Sequence, residues 1–389
     1  MPLLFTVLLV SAIGTFGQNA VAPRDPNQHK QQGLSALERG QFDRALVELR
    51  LAAEIDPRDA IVQDGIGVAL GELGQVEQAI ASFRRAIDVA PDFALPRFHL
   101  GLAFERSGHP RDALLSYQQA VRLQPDLVEA RHGLGSVLGQ LGDFDGAVRQ
   151  FRAVTQAAPN VAEAHYDLGL SLWRRYQNAT GPRQSTDIEA ASAALRTAVR
   201  LAPSDPKIHT ALGQLLVDTE DLSGAVECFR RAQALVPNSH EIAYDLGLAL
   251  RKTGDLAGAE SQLRRALTGE PPPPGTSRAL GLVLRQNGDL ESAAATFAAA
   301  VHANPDDALA HQLLGTTLIK LSRVEEGLRA LNRAIELEPR LTEARAARAQ
   351  MYAKRGDREL ARRDQAEIQR ANAANAAVGR AMQNVTGRF

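Results

Sequence analysis

Prolines at a fixed period constrain this chain more than any other feature of it. They stand 34 residues apart at Pro57, Pro91, Pro125 and Pro159, and after one interval of 44 the period resumes at Pro203, Pro237, Pro271, Pro305 and Pro339. A glycine sits in the first half of each unit: Gly33, Gly67, Gly101, Gly135, Gly169, Gly213, Gly247, Gly281 and Gly315. Eight residues before the proline a large apolar side chain recurs, as in Phe83, Tyr117, Phe151, Phe229 and Phe297, and five before it an alanine or, once, Val154. Self-similarity at such a period is the mark of a solenoid, in which each unit buries its apolar face only against its neighbours.

The unit itself reads as helix, turn, helix. In the third, Leu95, Phe98, Leu102 and Ala103 fall at helical spacing, Ser107-Gly108-His109-Pro110 interrupts, and Ala113, Leu114, Tyr117, Ala120 and Val121 resume. Gly108 suits the left-handed residue past a helix end, and Pro110 suits a first turn, where its missing N–H costs nothing. The repeated proline ends the second helix, and the Asp or Asn after it (Asp92, Asp126, Asn160, Asn238, Asp306) is expected to cap the next first helix. A helical glycine costs roughly 1 kcal/mol relative to alanine. Its ninefold return therefore predicts a close helix contact that a side chain would block.

Each unit resembles a tetratricopeptide repeat, whose pattern runs Trp-x-x-Leu-Gly-x-x-Tyr, then Ala, Phe, Ala and Pro. The central dipeptide stands unaltered at Leu100-Gly101, Leu134-Gly135, Leu168-Gly169, Leu212-Gly213, Leu246-Gly247, Leu280-Gly281 and Leu314-Gly315, while the tryptophan position holds His, Arg, Gln, Ala or Ser. The resemblance implies an all-α, right-handed superhelical solenoid of antiparallel helix pairs, whose first helices line a concave face that binds peptides or partner helices. The repeats are 26–59, 60–93, 94–127, 128–161, 162–205 with a ten-residue insertion, 206–239, 240–273, 274–307 and 308–341. Residues 342–375 form a degenerate, charge-rich capping repeat, and 376–389 are expected to be a loosely ordered tail.

Three departures from regularity stand out. Residues 1–22 read as a signal peptide, since Pro2 to Gly17 is apolar, ends in small residues and is too short for a stable membrane span. That points to export, periplasmic or secreted, with a cytoplasmic chain as the alternative. The fifth repeat carries its insertion around Asn178 to Ser185, a tolerated surface loop or a binding loop, followed by Thr186-Asp-Ile-Glu189, which reads as a capping box. The run Pro271 to Pro274 is either a stiff link inside a continuous stack or a domain boundary.

No catalytic or cofactor motif emerges. Gly133, Gly135 and Gly139 have the wrong spacing for a dinucleotide loop, and there is no His-Glu-x-x-His and no cysteine pair, Cys228 standing alone as a small buried residue. His29, His165, His209 and His311 all fall four before the glycine, so they mark a packing position rather than a metal site. A net charge of -1 offers no basic excess for nucleic acid. No cofactor is expected, and the partner is a protein or peptide held by a monomer within a larger complex.

The row three before each glycine, which the resemblance turns toward the concave face, supplies Phe98, His132, Tyr166, Tyr244 and Arg278. Three residues earlier stand Glu129, Glu163, Glu241 and Lys207. Aromatic anchors beside carboxylates suit an apolar segment with basic residues; alternatively, Phe98, Tyr166 and Tyr244 pack between neighbouring first helices. The reading is a non-catalytic scaffold, or else the substrate-recruiting or regulatory subunit of an enzyme complex, for example with a separate glycosyltransferase.

Overall fold

The computed structural model describes residues 26–179 and 185–386, and every element among them is α-helical. The helices form ten pairs in two compact units divided at Leu201/Ala202. The first unit holds α1 (Pro26–Glu38) with α2 (Phe42–Ile55), α3 (Ala60–Glu72) with α4 (Val76–Val89), α5 (Ala94–Arg106) with α6 (Pro110–Leu123), α7 (Val128–Gln140) with α8 (Phe144–Ala157), and α9 (Ala162–Asn178) with α10 (Ser185–Leu201). The second holds α11 (Pro206–Asp218) with α12 (Leu222–Leu235), α13 (His240–Thr253) with α14 (Leu256–Ala266), α15 (Thr276–Gln286) with α16 (Leu290–Ala303), α17 (Ala308–Lys320) with α18 (Val324–Leu337), and α19 (Thr342–Arg355) with α20 (Arg358–Thr386). Inside each unit the pairs stack in chain order, each second helix packing on the next first helix, as a solenoid requires.

The two rows legible in the sequence are a notch and the ring that fills it. A Cβ on Gly67 would come within 2.4 Å of Phe83, on Gly101 within 2.5 Å of Tyr117, and on Gly281 within 2.6 Å of Phe297. Those three rings are wholly buried. Burying such a side chain is worth about 1.5–3 kcal/mol, which exceeds the roughly 1 kcal/mol that glycine costs its helix. Burial wins, and the glycine recurs.

Capping lies one residue later than expected. Asp92, Asp126, Asn160, Asn238 and Asp306 are not caps; each follows its proline inside a β-turn closed by an N–H to C=O bond such as Leu127 to Gln124 (3.2 Å) or Asp307 to Asn304 (3.1 Å). Pro and Asp are the residues such a turn prefers at its two central positions. The caps come next: Asp59 accepts from the Ile61 and Val62 amides, Asp307 from Ala310. Phe93, Leu127 and Val161 occupy the same position without a side-chain bond. Outside the fifth pair, the turn inside a pair holds a left-handed residue, as Gly108 at φ +75° shows, yet Glu220 and Ser322 adopt φ 63° at that place.

The tryptophan position proves to be a hydrogen-bonding one. His165, His209 and His311 donate a ring N–H to the carbonyls of Pro159, Pro203 and Pro305 at 2.9, 2.9 and 3.0 Å, tying each first helix to the turn before it. His29 instead meets Glu48.

Two of the irregular segments, the start of α10 and the carboxy-terminal tail, differ from expectation. α10 already begins at Ser185, so Thr186 lies within the helix, and Asp187 accepts two bonds from Arg175 (2.8 and 2.6 Å). The proline run does not divide the chain; it lies within the second unit, where α14 ends at Ala266 and α15 starts at Thr276. The expected loose tail from residue 376 is helical to Thr386, because Ala371, Ala373, Ala374, Ala376 and Ala377 favour helix and no proline stops it. α20 is anchored through Asp364, 3% exposed, which takes a two-pronged bond from Arg348. Cys228 is half-buried on α12 rather than buried. The signal-peptide reading of 1–22 and the heart of the insertion, 180–184, lie outside the described residues. Among the described residues no helix is long and apolar enough to cross a membrane.

Candidate functional site

In the first unit, stacking brings the residue three before one repeat's glycine against the residue two before the next. Asp64 on α3 thus meets His99 on α5, whose Nδ1 lies 2.9 and 3.1 Å from the two carboxylate oxygens, with the side chains 0% and 1% exposed. The rung returns with its partners exchanged: His132 on α7 places Nε2 2.7 Å from Asp167 Oδ2 on α9. Here the side chains are 33% and 23% exposed. One rung is sealed in the stack, and the other faces solvent.

Around the open rung, negative charge gathers. Glu163 lies one turn before Asp167 on α9, and the ligand atoms of His132, Glu163 and Asp167 lie within 4.8 Å of one another. Glu105, near the end of α5, accepts a bond from the buried Tyr117 hydroxyl. Burial raises the Glu105 carboxyl above its ordinary range, partly countered by Tyr117 and His132. For His132 burial works against the proton, but the Asp167 bond with the charges of Asp167, Glu163 and Glu105 outweighs it, and the pKa is raised. A cationic ligand group, or a divalent cation, would find here two carboxylates and an imidazole in one place. Motif reading missed this grouping because His132 stands 31 and 35 residues from its partners.

The sequence-derived residues divide between the units. Glu129 and Tyr166 are half-buried and Glu163 exposed, on α7 and α9 with His132. Phe98 is a correction: it is 2% exposed, its ring 5.3 Å from His99 and 6.0 Å from Tyr117, so it fills the core and presents nothing to a partner. In the second unit Tyr244 and Arg278 meet at Gly275, where a Cβ would lie 3.4 Å from the Tyr244 hydroxyl and from Arg278 Nη2. Arg278 pairs with Asp307, the cap of α17. Lys207 and Glu241 are exposed, in the first turn of α11 and of α13. Asp245, which sequence reading passed over, accepts from Gln214 at 2.9 Å, and burial raises its pKa. The missed acids Asp167 and Asp245 share one register position, two before the glycine.

Models of the tetratricopeptide repeat match residues 98–138, 132–206, 176–240, 210–276 and 244–308, with further matches at 67–108 and 284–351. No curated protein sequence matches the chain. Among solved structures, MamA 41-end from Desulfovibrio magneticus RS-1 is similar at 25% identity over 46% of this chain and 95% of that one, with a TM-score of 0.42. YrrB, described as a TPR protein with an unusual peptide-binding site, is 23% identical over 51% of this chain and 92% of its own (TM-score 0.39). Pseudomonas aeruginosa pilF is 20% identical over 56% and 94% (TM-score 0.48).

Proposed function

The chain belongs to the tetratricopeptide repeat family, and from that premise we propose that it is a non-catalytic scaffold that holds a partner's apolar, basic segment on a first-helix face. One observation carries the reading: Glu105, Glu163 and Asp167 converge on His132 across α5, α7 and α9 in a half-open setting. Glu105 and Asp167 are partly desolvated, and such carboxylates attract a lysine or arginine more strongly than a surface one such as Glu163, because the local dielectric is lower. Half-buried Tyr166, one turn along from Glu163, offers an aromatic surface beside them. The sequence of residues 2–17 supports an exported chain; amino-terminal sequencing of the mature protein tests the export.

The peptide reading is tested by fluorescence polarisation of a labelled peptide alternating lysine and leucine, titrated with the full chain. The expected outcome is saturable binding that weakens roughly tenfold in Glu163→Gln/Asp167→Asn, the effect of losing a charge-assisted contact. Equal binding by that variant and the natural chain, with matching circular dichroism, would sink the reading.

A further inference from the structure

A second cluster of charge, opposite in sign, lies on the first helices of the second unit and plays no part in the reading above. Four residues past the repeated glycine, most units carry a residue without charge: Leu37, Gly71, Gly139, Trp173, Val217 and Ile319. The seventh and eighth units carry Arg251 and Arg285 there instead. Successive first helices α13 and α15 pack together, so the repeat itself stacks the two guanidinium groups on neighbouring helices. They line an open groove of about 450 Å³ with Gln286, Gln312, Thr316 and Lys320, and its lining contains no carboxylate.

Two buried polar atoms in that groove have no hydrogen-bond partner among the described residues: Arg251 Nε and Gln312 Oε1. Arg285 is held by the face of Phe297, 5.9 Å from the ring centroid, and by a long 3.4 Å contact to Thr316 Oγ1. Burial lowers its pKa with no neighbouring acid to offset the effect. Like charges partly withdrawn from water without a counter-charge are costly, and an oxyanion would relieve them. The two orphan atoms narrow the ligand further. Arg251 Nε is a donor that wants an acceptor, while Gln312 Oε1 is an acceptor that wants an N–H. A carboxylate alone supplies only the first; a peptide that bears one supplies both.

We propose that the groove formed by α13, α15 and α17 binds an acidic peptide segment of a partner, with a Glu or Asp carboxylate between Arg251 and Arg285 and a peptide N–H on Gln312 Oε1. The proposal rests on the scaffold reading and adds a second recognition chemistry to it. The side chain of Lys320, exposed at the end of α17, draws the acidic segment in from solvent.

The test titrates the full chain with a fluorescein-labelled, end-blocked peptide alternating glutamate and leucine, with its glutamine counterpart, and with inorganic phosphate as competitor. The glutamate peptide is expected to saturate the chain, and Arg251→Gln/Arg285→Gln to weaken it by at least roughly tenfold, as lost charge-assisted bonds should. The melting temperature of that variant should not fall, since it removes cations that lack partners. The glutamine peptide should bind as weakly to the natural chain, and Gln312→Leu should weaken the glutamate peptide several-fold. Should the double variant fail to fold by circular dichroism, Arg251→Lys/Arg285→Lys replaces it and must also lose affinity, because lysine cannot make the two-pronged contact. The proposal is overturned if the glutamate peptide does not bind, or binds the folded arginine variants unchanged. Phosphate displacing the peptide while Gln312→Leu has no effect would overturn the peptide assignment in favour of a simple oxyanion site. The lysine–leucine peptide is titrated in parallel: if it still binds through Glu163 and Asp167, only this inference has failed, whereas loss of both peptides removes the scaffold reading too.

Discussion

Gly101→Ala adds one methyl group to the fold, and the structure says where it must go. The new Cβ would lie 2.5 Å from Tyr117 Cε1, 2.6 Å from Cδ1 and 2.9 Å from Cζ. Carbon atoms rest at about 3.5–4.0 Å, so the ring would have to retreat by about 1 Å. Tyr117 is 0% exposed and its hydroxyl is tied to Glu105, which leaves little room for that movement. Overpacking of this kind costs typically about 1–3 kcal/mol, and the upper end applies to a ring with no exit. Against it, alanine gains roughly 1 kcal/mol over glycine inside a helix. The net expectation is a loss of about 2 kcal/mol, or on the order of 4–8 °C in melting temperature for a unit of this size. Gly139→Ala is the matched control, since its Cβ meets nothing closer than Ala147 Cβ at 3.9 Å and should gain up to about 1 kcal/mol of helix propensity. Thermal and urea unfolding followed by circular dichroism measures both, and hydrogen exchange in α5 and α6 localises the loss. If Gly101→Ala melts at or above the natural chain, or Gly139→Ala loses as much as Gly101→Ala, the notch argument is refuted.

Other consequences are equally direct. Glu220 and Ser322 hold left-handed backbone that costs a side-chain residue about 1–2 kcal/mol, of which glycine's extra unfolded freedom cancels about 0.5–1. Glu220→Gly should therefore stabilise by about 0.5 kcal/mol in urea unfolding, and Glu220→Ala should not. Asp64→Ala strips the sealed rung of its acid and should cost about 1–3 kcal/mol, the penalty of a buried polar group that loses a hydrogen bond, while Asp64→Val/His99→Leu, which removes both side chains of the rung, should cost clearly less; a single-variant loss below about 0.5 kcal/mol contradicts the pair's role. The raised pKa of His132 means that its proton stabilises the fold below about pH 6.5 and that this contribution fades as pH rises through the folded value. An NMR titration should place the His132 midpoint above 6.5 and, in Asp167→Asn, bring it down, because burial then opposes the proton with less to counter it.

What was legible in the sequence is what the repeat expresses in one dimension. Gly101 and Tyr117 lie one period-locked offset apart, so notch and ring could both be found without coordinates. Capping slipped by one residue because Pro-Asp is equally good chemistry for a β-turn and for a cap, and only the backbone bond from Leu127 to Gln124 decides. The rungs were hidden for a different reason. His132 and Asp167 touch through stacking of successive first helices, and the row two before the glycine mixes acids with alanine and glycine, so nothing in its composition announces a surface. Phe98 shows the opposite error: its row contains partly exposed tyrosines, but its own neighbours, His99 and Tyr117, close over it. The unit boundary followed the lengthened fifth pair rather than the four prolines, since a proline link that keeps the period also keeps the packing of α14 on α15.

The central claim is that the open face of α5, α7 and α9 holds a partner. Affinity capture from the native host with the full mature chain, run beside Glu163→Gln/Asp167→Asn and Tyr166→Ala variants of matched circular dichroism, tests it most directly. The account predicts a partner captured by the natural chain through a basic, apolar segment, lost or sharply reduced with either variant. Recovery of the same partner at the same yield with both variants would contradict it.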